Sequence, residues 1–200
     1  MKRLIATGLL ALALASGWAV AATPPETVVQ QTSEQMLDAL RQNRAAIDRE
    51  PGRIYELVNQ IVLPNFDFEL MSRWVLGRAW QQANPEQRRQ FTEEFRTLLV
   101  RTYARALLEY ANEAIKVSPA GAPAGNEATI RTEVQPKSGR PIQINYNMHL
   151  GNDAWKVYDV TVDGISLVTS YRDSFASQIR ASGMDAVIAD LRQRNAGSTR

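Results

Sequence analysis

Three side chains in this sequence stand where they could do chemistry: His149, Asp159 and Asp163. His149 is the only imidazole of the chain. It alternates with Gln143, Asn145 and Asn147 against Ile142, Ile144, Tyr146, Met148 and Leu150, which puts it on the polar face of a strand. There it could serve as a general base if a pocket opens on that face. The plainer alternative is an exposed or hydrogen-bonded strand residue. Asp159 and Asp163 lie four apart in a stretch read as one strand, so their side chains are expected to point the same way. Such a pair could do acid–base work or bind a cation. Lys156 and Arg172 are near enough in sequence to pair with them, and Asp159 could equally cap or pin a neighbouring loop. Other chemistry is missing. The chain has no cysteine, so it has no thiol nucleophile, thiolate metal site, redox motif or disulfide. One histidine removes most zinc sites. No serine sits in G-x-S-x-G, and neither G-x-G-x-x-G nor a P-loop occurs. A cup-shaped hydrolase or isomerase would have to run on Asp159 or His149. No catalytic set, metal site or cofactor is assigned.

These residues sit in a β centre between two helical parts. Residues 26–42 carry Val29, Met36, Leu37 and Leu40 at helical spacing after Pro24-Pro25. Ile54, Leu57, Val58 and Ile61 make a helical face that Pro64 is expected to stop. Asp67 can cap a short helix from Phe68 to Leu76, and Gly77 can end it in the left-handed conformation. Residues 85–113 predict the strongest element, with Asn84 as N-cap, Pro85 at the first position and Gln87 as capping-box partner. Phe91, Phe95, Leu98, Leu99, Tyr103, Leu107 and Tyr110 give it one wide apolar face.

The period then falls to two. Ile115 and Val117 suggest a short first strand. Residues 128–134, 142–150 and 155–162 follow as hairpin-linked strands. Asp163-Gly164 is expected to end the sheet. A helix from Leu167 to Ser182, stopped by Gly183, and a last helix capped by Asp185 complete the chain. The fold class is α+β: an antiparallel meander of three to four strands with helices packed on its apolar face.

Charge and the first residues bound the partners. The 200-residue chain has a net charge of +2. Lys2 and Arg3 precede an apolar run from Leu4 to Leu14, and Ala19-Val20-Ala21 forms an A-x-A site. That is the pattern of a signal peptide over residues 1–21, cleaved after about Ala21, with residues 22–200 as a single domain. The remaining 21 basic and 21 acidic residues balance. Neither half carries the clustered basic stripe that nucleic acid requires.

Three blocks carry a resemblance. One is Phe66-Asp67-Phe68 with Met71, Val75-Leu76-Gly77 and Trp80. Another is Gln87, Arg88, Phe91, Phe95 and Leu98-Leu99, leading to Tyr103 and Tyr110. The third is Trp155-Lys156-Val157-Tyr158-Asp159-Val160, continuing through Gly164-Ile165-Ser166-Leu167-Val168 to Tyr171-Arg172 and Phe175. In their order and spacing the sequence resembles the MlaC family, also called Ttg2-type toluene-tolerance auxiliary proteins. The resemblance implies an NTF2-like cup in outline and a non-enzymatic periplasmic phospholipid carrier. It implies as partners an outer-membrane lipoprotein–porin complex and an inner-membrane ABC transporter with an MCE-domain protein. The bound phospholipid would be cargo, and the shuttling would maintain outer-membrane lipid asymmetry.

The expected lipid-binding wall takes apolar positions from each facing element: Trp74, Val75, Leu99, Tyr103, Leu107, Tyr146, Met148, Val160, Val162, Ile165, Val168 and Phe175. Two alternatives remain beside the carrier. One is an envelope adaptor with a solid core, and the other is the cup-shaped enzyme.

Overall fold

The computed structural model describes residues 22–119 and 121–197. The signal peptide expected over residues 1–21 lies outside them. Pro25 sits at the first turn of α1 (Pro25–Gln42), where its missing N–H costs nothing. Two short helices follow, α2 (Arg44–Arg49) and α3 (Arg53–Leu57). The expected helix over 53–62 does not run as one: past Leu57 it widens into a π-turn, Val58–Val62. Pro64 then sits inside a 3-10 turn, Leu63–Asn65, instead of stopping the chain.

Asp67 caps α4 (Phe68–Leu76), its Oδ1 accepting the Leu70 amide at 2.8 Å. Gly77 ends that helix with φ 53° but ψ −119°. This is outside the left-handed helical region expected for it, in backbone space that only glycine enters easily. A short α5 (Arg78–Gln82) follows, which periodicity did not foretell.

The long helix α6 (Pro85–Glu109) starts as its residues predict, with a reciprocal capping box between Asn84 and Gln87. It stops four residues short of the expected end. α7 (Leu167–Ser182) begins under Ser166, whose Oγ accepts the Thr169 amide. α8 (Met184–Gly197) begins two residues earlier than a cap at Asp185 implies. Asp185 therefore lies inside its first turn and accepts from Gln87 Nε2 at 2.7 Å.

The sheet is a sequential antiparallel meander of five strands, not three or four. They are β1 (Ala114–Pro119), β2 (Glu127–Gln135), β3 (Ile142–Gly151), β4 (Ala154–Val162) and β5 (Ile165–Ser166). The extra strand arises because Asp163-Gly164 turns the sheet back instead of ending it. Both residues have positive φ, 48° and 86°, as a two-residue hairpin of matching twist needs. The hairpin pairs Val162 with Ile165 and Thr161 with Ser166. The register between β3 and β4 shifts at Asn147/Met148. Tyr158 is the additional residue on β4, so Trp155 and Val157 join Val160 and Val162 on the apolar face in spite of opposite parity.

Three separate apolar clusters hold this frame together. The first joins α4, α6, α7 and α8 through Met71, Val75, Phe91, Phe95, Phe175 and Ile188. The second joins α1, α2, α3 and the later half of α6 through Leu40, Ile47, Ile54, Val100 and Ala104. The third places Val29 of α1 on the sheet face of Ile130, Met148, Trp155 and Val157. The main packing partners of α6 are α8, α4 and α3, whereas the helices lying on the strands are α1, α4 and α7.

Candidate functional site

The sequence-nominated polar groups turn out to be structural fasteners. His149 Nε2 lies 2.9 Å from Asp67 Oδ2. The same aspartate caps α4, and its amide donates to the Val157 carbonyl at 2.9 Å. One residue thus ties α4, β3 and β4 together. Asp159 is buried. Its Oδ2 accepts from Ser166 Oγ at 2.7 Å and its Oδ1 accepts the Val168 amide at 3.1 Å. It caps α7 from the strand beside it, the pinning role that was open for it.

Asp163 does not share a strand with Asp159. It sits in the hairpin turn, where it accepts the Gln143 amide at 3.1 Å and pairs with Arg140 at 2.7 Å. Those two contacts, the backbone donor first, hold its carboxyl below the usual range. Lys156 and Arg172 are not the partners of these acids. Lys156 donates to the Pro64 carbonyl. Arg172 donates to the Trp74 carbonyl and lies over the Trp74 ring. The two carboxylates therefore form no pair for acid–base work or cation binding.

The twelve expected wall residues fall into three groups. Val75, Leu99, Val168 and Phe175 are buried in the helical cluster. There Phe175 meets Phe91 edge-on at 5.2 Å and Tyr171 stacks on Phe175. Tyr146, Met148 and Val160 belong to the sheet-face cluster, and Val162 continues that face half-buried. Trp74, Tyr103, Leu107 and Ile165 are the exposed large apolar residues among those described. Trp74 is on the outer side of α4 under Arg172. None of the twelve lines either of the two grooves beside α1, which measure about 330 and 350 Å3.

Exposure of Tyr103 and Leu107 follows from the geometry of α6. On a 3.6-residue helix, Phe91, Phe95 and Leu98 form one stripe, and Val100 and Ala104 another. The first stripe packs in the helical cluster and the second against α1 and α3. Tyr103 and Leu107 fall on the arc between the stripes, which no cluster covers. Tyr103 instead stands beside Tyr171 of α7, which spacing alone did not reveal. Its phenol is pushed up to about 12, first by burial and then by the charge and hydrogen bond of Tyr171. On the sheet, burial likewise raises the Tyr146 phenol, while a hydrogen bond with Thr132 works the other way. An apolar arc of α6 and an apolar sheet face thus remain without each other as partners. Both α4 and α7 reach from one to the other, and phenols stand on both sides.

Comparison with known proteins agrees with this architecture. The family model for the MlaC protein matches residues 30–193. The toluene tolerance protein ttg2D of Pseudomonas putida is 34% identical over 167 residues, covering 83% of this chain and 78% of its own. The intermembrane phospholipid transport system binding protein MlaC of Haemophilus influenzae is 28% identical over 193 residues, with 94% and 90% covered. A phospholipid-binding protein from Ralstonia solanacearum, solved in complex with a phospholipid, superposes with a TM-score of 0.81 at 28% identity. That match covers 89% of this chain and 100% of the other.

Proposed function

Since this chain belongs to the MlaC family, we propose that it is a periplasmic phospholipid carrier. It shuttles lipid between an outer-membrane lipoprotein–porin complex and an inner-membrane ABC transporter bearing an MCE-domain protein. The observation that carries this reading is the phospholipid held by a neighbour of the same fold. The uncovered apolar arc of α6 and the apolar sheet face support it. The acyl chains enter between them, against Tyr103 and Leu107 on one side and Tyr146, Val160 and Val162 on the other. Ile165, at the β4–β5 hairpin, stands at the rim. Val75, Leu99, Val168 and Phe175 back this wall from the helical core, and Met148 from beneath α1.

Each buried methylene contributes about 0.8 kcal/mol, so two acyl chains supply ample binding. The offset is the conformational freedom that the chains lose on binding. No helix among the described residues is long and apolar enough to cross a membrane, consistent with a shuttle that leaves both bilayers.

The test is native mass spectrometry and lipid extraction on protein purified from a periplasm. Copurifying phospholipid is expected. Protein that is consistently lipid-free, and takes none from vesicles, overturns the proposal. The packed state of Val75, Leu99, Val168 and Phe175 favours one second reading, an adaptor with a solid core, and the same measurement separates the two.

A further inference from the structure

The meander has two edges, and the molecule treats them differently. Beyond β4 the edge is closed. Phe66 forms a parallel bridge with Val157, the Asp67 amide donates to the Val157 carbonyl, and β5 takes the far end. β1 pairs on one side only, with β2. In an antiparallel ladder alternate residues turn their N–H and C=O groups away from the partner. Along Ala114–Pro119 those outward groups meet no backbone partner among the described residues. Proteins usually blunt or cover such an edge. Here a groove of about 350 Å3 runs beside it, with β1 as one wall (Ala114, Ile115, Val117) and α1 as the other (Ser33, Leu37, Arg41). An open edge strand accepts an extended peptide as an added strand, with a flanking wall providing pockets for alternate side chains.

Charge selects among extended peptides. Asp38 in the groove is neutralised by Arg41 at 3.0 Å. Among the described residues, Glu34 and Glu113 are held by neutral donors alone, the Gln30 side-chain amide at 2.6 Å and the Lys137 backbone N–H at 3.0 Å. The groove therefore keeps two uncompensated carboxylates beside the half-buried apolar groups of Leu37, Ile115 and Val117. Lys116, on β1 itself, stands across the ladder from Glu133.

We propose that the α1–β1 groove docks an extended segment of a partner protein, in which apolar and basic residues alternate, as a sixth strand beside β1. Its apolar side chains sit on Leu37, Ile115 and Val117, and its basic ones reach Glu34 and Glu113. A second copy of this chain is a poorer occupant, because edge-to-edge pairing brings the same carboxylates of two copies together. The inference does not depend on the lipid-carrying reading, since the groove lies outside the proposed acyl site.

The probe is a blocked hexapeptide of alternating valine and lysine, titrated into the purified protein and followed by backbone NMR. Shift changes are expected in residues 25–42 and 114–119, with slowed exchange of the outward amides of β1. A peptide methylated on the backbone nitrogens that face β1 should bind about tenfold more weakly. A glutamate-for-lysine peptide should bind more weakly as well. The double variant Glu34→Gln, Glu113→Gln should lose about three- to tenfold in affinity at unchanged melting temperature, and added salt should do the same. The proposal is overturned if shifts concentrate elsewhere, if the methylated peptide binds as well as the parent, or if neither peptide binds at millimolar concentration. It is also overturned if the free protein is a dimer with protected β1 amides. Running lipid-free and lipid-loaded protein in parallel keeps this outcome distinct from that of the carrier test.

Discussion

Asp159 shows how a group suited to catalysis can be fully engaged in holding the frame. Both of its oxygens are committed to the start of α7. Asp159→Ala strips that helix of a buried cap and should cost about 2 kcal/mol, read as a drop of roughly 4–8 °C in Tm for a domain of this size. Sequence leaves a capping or pinning role open for Asp159, but only the β4–β5 hairpin brings it to the start of α7. The pairing of His149 with Asp67 is not legible in sequence, because 82 residues separate them and only the closed sheet brings them together. The tyrosines offer a second measurement. Burial raises the phenols of Tyr103 and Tyr146, the former to about 12. An unfolded tyrosine ionises near 10. Between pH 10 and 12 the unfolded chain therefore binds fewer protons than the folded one, and stability falls as pH rises through that window. Tyr103→Phe should flatten the decline in alkaline urea melts. An unchanged slope would mean that Tyr103 adds nothing to it.

At the scale of elements, α6 carries two faces of opposite consequence. Phe95 is buried between Phe91, Tyr171 and Phe175, so Phe95→Ala should lose about 3–5 kcal/mol in urea unfolding. Leu107 is exposed, so Leu107→Asp should change stability by no more than about 0.5 kcal/mol. It should nevertheless lower the phospholipid recovered per protein, and full occupancy in that folded variant would remove Leu107 from the acyl wall. Sequence periodicity revealed the helix, its capping box and its apolar residues. It could not say that the apolar arc is divided between two clusters with a bare strip between them, because that division depends on where α3 and α8 come to rest. The same limit explains β5. Asp163-Gly164 reads equally as a stop or a hairpin, and only the pairing of Val162 with Ile165 decides. The π-turn at Val58–Val62 and the short α2 and α5 likewise answer to packing more than to local pattern.

Across the whole molecule, lipid should act as a ligand of the folded state. Removing it lowers Tm, and returning it from vesicles restores Tm with a concentration dependence set by mass action. A melting temperature indifferent to delipidation would contradict the carrier reading. The three clusters bear on how that happens. The first and second share α6, and the first and third share Phe66, so each can loosen with its own elements, and hydrogen exchange should show opening between helix and sheet below the energy of global unfolding. The interior of the fold is thus laid down in three pieces. In the carrier proposed here the passenger is a fourth, a stretch of hydrocarbon that the gene does not encode and that the cell must lend and reclaim on every journey.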